Sequence, residues 1–156
     1  MTISYQANDT VTAVTKNRTV TLGKDVLLEK YQVPGAGEYD VAGIQCEAVQ
    51  LPTATVYFIR AEDLKLTFMS HVDPEVIKLD DASATNILAI EVRSDDKPSD
   101  LKPILKALEP SYVFLIGAGA TAEFKAELGL VAYESSTLKA TNAGLPLEGT
   151  YLVPSA

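Results

Sequence analysis

The sequence predicts a mixed α/β fold, α+β in arrangement, with mixed sheets and few helices, as a single domain over residues 1–156. Three observations lead there. The first half is a run of short segments rich in β-branched residues, separated by polar turns. The second half alternates apolar strands with amphipathic helices. Apolar residues make up 47% of the chain and charged residues 22%, a globular balance. A chain of 156 residues buries roughly two-thirds of its unfolded surface and needs no staple to fold.

Met1–Tyr5, Val11–Thr15 and Thr19–Leu22 read as a half-exposed meander. Ala7-Asn8-Asp9 and Lys16-Asn17-Arg18 are its turns. Tyr39–Ile44 and Cys46–Gln50 form a pair of strands. Thr55–Arg60 and Leu64–Met69 make the clearest hairpin, joined by Ala61-Glu62-Asp63. Asp73 followed by Pro74 caps a short helix through Ile77. Asn86–Val92 is a continuous apolar strand of the kind buried on both faces. Ser99 caps a helix through Glu109, with Leu101, Ile104, Leu105 and Leu108 on one face. Tyr112–Ile116 is a second buried strand, so the block is βαβ and its strands pair in parallel. Thr121 caps Ala122–Leu128, with Gly129 as the C-cap. Val131–Tyr133, Lys139–Asn142 and Thr150–Val153 add tail strands. No repeat or low-complexity tract divides the chain.

The net charge of -8 rests on 21 acidic and 13 basic residues, without a basic cluster. That argues against nucleic acid, anionic substrates and membrane surfaces. No apolar run approaches the ~18 residues of a membrane span, and no signal sequence opens the chain. The expected location is cytoplasmic. Cys46 is the sole cysteine, which excludes an internal disulfide and suits a small buried side chain.

Gly35–Ile44 (GAGEYDVAGI) resembles the GPGEYEVKGI signature of a bacterial subgroup of the metallo-β-lactamase fold, related to ascorbate-6-phosphate lactonase. Val56–Leu66 is similar to the family's VYRIEIDGLRI hairpin, and Leu108–Val113 to its LEPKIVI step. Phe124–Leu130 resembles its late helix, and Leu138-Lys139 with Leu145-Pro146 its terminal segment. The pieces keep the family's order over roughly two-thirds of the chain. The resemblance implies a metallo-β-lactamase-like β-sandwich with a few flanking helices. It also implies zinc or manganese held on a His-x-His-x-Asp-His loop with further His and Asp ligands.

The departures fall on that chemistry. Between Gly23 and Gly35, where the family places its ligand loop and a helix, only Lys24–Pro34 stands. Met69-Ser70-His71 replaces the family's Leu-Gly-Asp. Ile116-Gly117-Ala118-Gly119 replaces its Met-His-Tyr. His71 is the chain's single histidine, whereas catalytic zinc takes about three protein ligands, mostly His. Without metal there is no activated water for hydrolysis. The expectation is a reduced relative of the fold, without cofactor and leaning away from enzyme activity, acting as a binding or assembly module. The alternative is a hydrolase with an atypical or subunit-shared site around His71.

His71 is the one remnant ligand candidate. Read without the family, it is a hairpin-end histidine bonded to backbone or water. Ser70, His71 and Asp73 are too close in sequence to align as a catalytic triad. Gly117 and Gly119 follow a buried strand and precede a helix, which is where α/β sheets bind anions. A tight strand-to-helix turn is the favoured reading, since the third glycine of a nucleotide fingerprint is missing. Asp80-Asp81 and Asp95-Asp96 read as solvated loop charges unless a desolvated cleft unites them. Glycines 35, 37 and 43 set turn geometry around Glu38 and Tyr39. Losing a covering helix should uncover apolar sheet surface, so a homo-oligomer is expected, a two-fold dimer first of all, or else a protein partner.

Overall fold

Alternation at period two builds the first sheet. In β1 (Thr2–Gln6), β2 (Thr10–Thr15) and β3 (Arg18–Leu22), Ile3, Tyr5, Val11, Ala13, Val20 and Leu22 are buried, while their neighbours along each strand face outward. Asn8-Asp9 and Lys16-Asn17 take positive φ in the two hairpin turns, which short polar side chains tolerate best. Two short strands extend the meander, β4 (Leu27–Leu28) and β5 (Tyr31–Gln32). They occupy the Lys24–Pro34 stretch. The computed structural model describes residues 1–146 and 148–155.

The second sheet has eight strands. β6 (Gly37–Val41), β7 (Ile44–Gln50), β8 (Thr55–Ala61) and β9 (Leu64–Met69) run antiparallel, one after the next. β10 (Ile87–Glu91) joins β9 in parallel, and β11 (Tyr112–Ile116) joins β10 in parallel. β12 (Val131–Ala132) forms the far edge beside β14 (Tyr151–Val153), which pairs with β11. β13 (Thr137–Lys139) crosses to the first sheet and pairs with β1. The orders are β13-β1-β2-β3-β4-β5 and β12-β14-β11-β10-β9-β8-β7-β6. This is the expected sandwich, with the eight-stranded sheet mixed and the six-stranded sheet antiparallel throughout.

Ile3, Val11, Val20 and Leu22 of one sheet pack against Ile59, Leu66, Phe68 and Phe114 of the other in a single apolar cluster. The Tyr5 hydroxyl crosses that core to donate to the Leu115 carbonyl. Burial, then Asp9, pushes its pKa up to about 12. The other face of the eight-stranded sheet forms a second cluster under helix α1 (Pro98–Leu108), helix α2 (Ala122–Leu128) and the 3₁₀ turn Pro74–Lys78. Leu88, Ile90, Val113 and Leu115 contribute from the strands, and Leu101, Ile104, Leu105 and Leu108 from α1.

Four sequence expectations need correction. The first pair of strands turns at Ala42-Gly43, both at positive φ, so the strand from Tyr39 stops at Val41 and its partner begins at Ile44. Helix α1 starts at Pro98, whose fixed φ suits the first turn, and Asp100 accepts the Lys97 N–H at 3.3 Å. The tail strand lies at Thr137–Lys139, not Lys139–Asn142. There Thr141 accepts the Gly144 N–H and holds Asn142–Gly144 in a 3₁₀ turn. The bare face of the six-stranded sheet is also not apolar. Its cross-strand rows read Thr2, Val14, Thr19 and Ser4, Thr12, Thr21, Leu27, Gln32, with Val14 exposed and Leu27 partly exposed as its large apolar residues.

Leu105→Ala should destabilise the protein by about 2–5 kcal/mol, because it removes a buried side chain from the helix–sheet layer. Exposed Lys102→Ala should stay within about 0.5 kcal/mol. Equal denaturant midpoints for the two variants would refute the packing of α1 on the sheet.

Candidate functional site

Three parallel strands bring the sequence candidates to one end of the large sheet. His71 follows β9, Asp95 and Asp96 follow β10, and Gly117–Gly119 follow β11. Carboxyl ends of parallel strands are where such sheets place ligands. Side-chain atoms of His71, Asp95 and Asp96 lie within 4.8 Å of one another. His71 Nε2 is 3.0 Å from Asp96 Oδ1. An ionised carboxylate only accepts, so Nε2 carries the proton and donates. The second oxygen of Asp96 accepts the Arg93 N–H at 2.7 Å. His71 Nδ1 is buried and has no hydrogen-bond partner among the described residues. Asp95 is exposed.

Catalytic zinc does not fit this donor set. It offers one imidazole and two adjacent carboxylates, and both oxygens of Asp96 are engaged within the fold. Zinc hydrolases use about three ligands with nitrogen or sulfur prominent, and harder oxygen-rich sites need several converging carboxylates. The geometry is that of a side-chain clip tying the ends of β9 and β10 together.

The residues around His71 are committed elsewhere. Ser70 Oγ accepts the Thr55 N–H at 2.8 Å. Asp73 accepts from Thr53 N–H and Oγ1–H, each at 2.9 Å, and from Glu75 N–H at 3.0 Å. Burial alone would raise the Asp73 carboxyl. The bonds from Thr53 and Glu75, with His71 nearby, outweigh that and hold it below the usual carboxylate range. Asp73 therefore ties the β7–β8 loop to the 3₁₀ turn, and the three residues do not assemble a triad.

Gly117 and Gly119 have a steric reason to be glycine. Gly117 sits at φ 96°, and a Cβ on Gly119 would lie 2.0 Å from the Arg93 carbonyl oxygen. The Gly119 and Ala120 amides donate to the carbonyls of Val92 and Gly117. Helix α2 is capped by Thr121, whose Oγ1 accepts the Phe124 N–H. These turn amides are spent inside the fold. Cys46 is buried, and burial followed by Glu47 pushes its thiol up to about 12, which leaves it inert as a nucleophile.

A second charged region lies where sequence reading placed none. The outward faces of β6–β9 carry two cross-strand rows: Glu38, Glu47, Phe58, Thr67 and Asp40, Gln45, Arg60, Lys65. All of these except Thr67, together with Asp81, border a groove of about 360 Å³. Period-two reading of the predicted hairpin could have found part of it, since Lys65 and Thr67 interrupt a face that is otherwise apolar.

No protein-family model matches the chain, and no curated protein matches it. Among solved structures it is similar to a crystal structure from Thermotoga maritima, described as a candidate zinc-dependent hydrolase of the metallo-β-lactamase superfamily. The TM-score is 0.71 at 14% identity, covering all of both chains. At that identity the likeness concerns the fold, and the fold is metallo-β-lactamase-like. Function does not follow from fold.

Proposed function

We propose that this chain is a non-catalytic, metal-free binding module built on the metallo-β-lactamase-like fold, as a shortened relative of the lactonase-like subgroup in a cytoplasmic setting. One observation carries the reading. The chain's single histidine donates to Asp96, whose other oxygen holds the Arg93 amide, so the strand-end cluster serves as a structural clip. Two short strands stand where the subgroup's ligand loop would be. No helix of the described residues is long and apolar enough to cross a membrane.

Self-association remains part of the proposal, but its expected driving force is weaker. The uncovered sheet face is rich in threonine and serine, so a dimer there would be a polar contact rather than an apolar seam.

Elemental analysis of purified protein tests the proposal. Well under about 0.1 zinc or manganese per chain is expected, with His71→Ala unchanged in metal content. About one metal per chain, lost in His71→Ala, would overturn it in favour of a hydrolase around His71.

A further inference from the structure

The groove over β6–β9 is built against electrostatic preference. Glu38 lies directly opposite Glu47, and Arg60 directly opposite Lys65. Like charges facing each other across strands are disfavoured. Here one acidic and one basic pair share the same sheet face. Lys65 is only 4% exposed, a rare state for lysine without a carboxylate partner. Its ammonium donates to the Ser83 carbonyl at 2.9 Å and lies 5.1 Å from the centre of the Phe58 ring. Neither it nor Arg60 is in an ion pair among the described residues.

Both ends of the groove hold their charge under strain. Burial, then Arg60, lowers the Lys65 pKa, and Asp81 and Glu47 only partly oppose this. Burial, then Asp81, raises the Glu47 carboxyl. A bound cation at the acidic end and a bound anion at the basic end would relieve both. The two cross-strand rows are two residues apart along each strand, about 6.6 Å. The volume suits a small organic molecule and exceeds that of a bare ion.

We infer that this groove binds a small zwitterion, its ammonium among Glu38, Glu47 and Asp81 and its carboxylate on Arg60 and Lys65. The inference gives the proposed binding module a ligand class and rests on that reading for its biological sense. Its test is separate from metal content, so either can fail without the other.

Titration calorimetry with 4-aminobutanoate, 5-aminopentanoate and 6-aminohexanoate tests it, with butylamine and butanoate as singly charged controls. At least one amino acid should bind saturably, and at least tenfold more tightly than either control. Arg60→Gln, at an exposed position, and Glu47→Gln, at a partly exposed one, should each weaken that binding at least tenfold, with unchanged circular dichroism and thermal midpoint. Lack of saturable binding by all three amino acids would overturn the inference. So would butylamine binding as tightly as the amino acids, which would mark a simple cation site, or undiminished binding by both folded variants.

Discussion

Gly119→Ala is expected to be among the most damaging single substitutions in this protein, on the order of 4 kcal/mol or more. The added Cβ would stand 2.0 Å from the Arg93 carbonyl oxygen and 2.4 Å from its carbon. Both are backbone atoms, so no side chain can swing aside. Relief would require parting the ends of β10 and β11, where the Gly119 N–H bonds to the Val92 carbonyl at 2.9 Å. Gly35→Ala is the matched control, because a Cβ there meets nothing within 4 Å, and it should cost under about 1 kcal/mol. Urea denaturation of both variants decides the matter. Equal midpoints would mean that the turn after β11 is not packed against the segment after β10.

Phe114→Ala should cost about 3–5 kcal/mol, lowering the melting temperature by roughly 6–20 °C. Phe114 is fully buried at the centre of β11 and faces the other sheet, its ring 6.3 Å from that of Tyr5. The β10 and β14 strands hold its backbone on both sides, so the cavity left behind cannot collapse easily. Val131→Ala, at a 64% exposed position on the edge strand, should shift stability by about 0.5 kcal/mol or less. A Phe114→Ala melt within that same margin would refute the face-to-face packing of the two sheets.

The hydrogen bonds that Asp73 accepts also have a pH consequence. Its carboxyl is held below the ordinary range in the folded state. Its contribution is therefore complete above the unfolded pKa of about 3.9 and is lost as pH falls through the folded value. That part of the acid lability should disappear in Asp73→Asn.

Much of the local architecture was legible because it rests on neighbours in sequence. The meander from β1 to β3 and the β8–β9 hairpin follow from alternation and short polar turns. The stripe Leu101, Ile104, Leu105 and Leu108 marks the buried face of α1. The β10–β11 parallel pair follows from the strand–helix–strand order. Less legible were two-residue strands such as β4 and β5, since so short a segment carries no period of its own. The parallel seam between β9 and β10 was not foreseen, because a 3₁₀ connection lacks the helix signature of a crossover.

The candidate sites divide along the same line. His71 stands out in the sequence as the lone histidine, yet its partner Asp96 lies 25 positions on and reads as a loop charge until β9 and β10 pair. Gly117 and Gly119 look like a ligand turn until the Arg93 carbonyl is seen against them. Arg60 opposite Lys65 follows from hairpin register, but Asp81 joins Glu47 only when the 3₁₀ segment Asp80–Ala82 folds over the sheet. By itself, the sequence determined the fold class, the strand-by-strand burial pattern and the scarcity of nitrogen ligands for zinc, all properties of composition and short-range periodicity. Tertiary structure alone decided which charges meet, which amides are already spent and which sheet face is polar. Those depend on strand order and register, which bring side chains together across tens of residues that no local pattern relates.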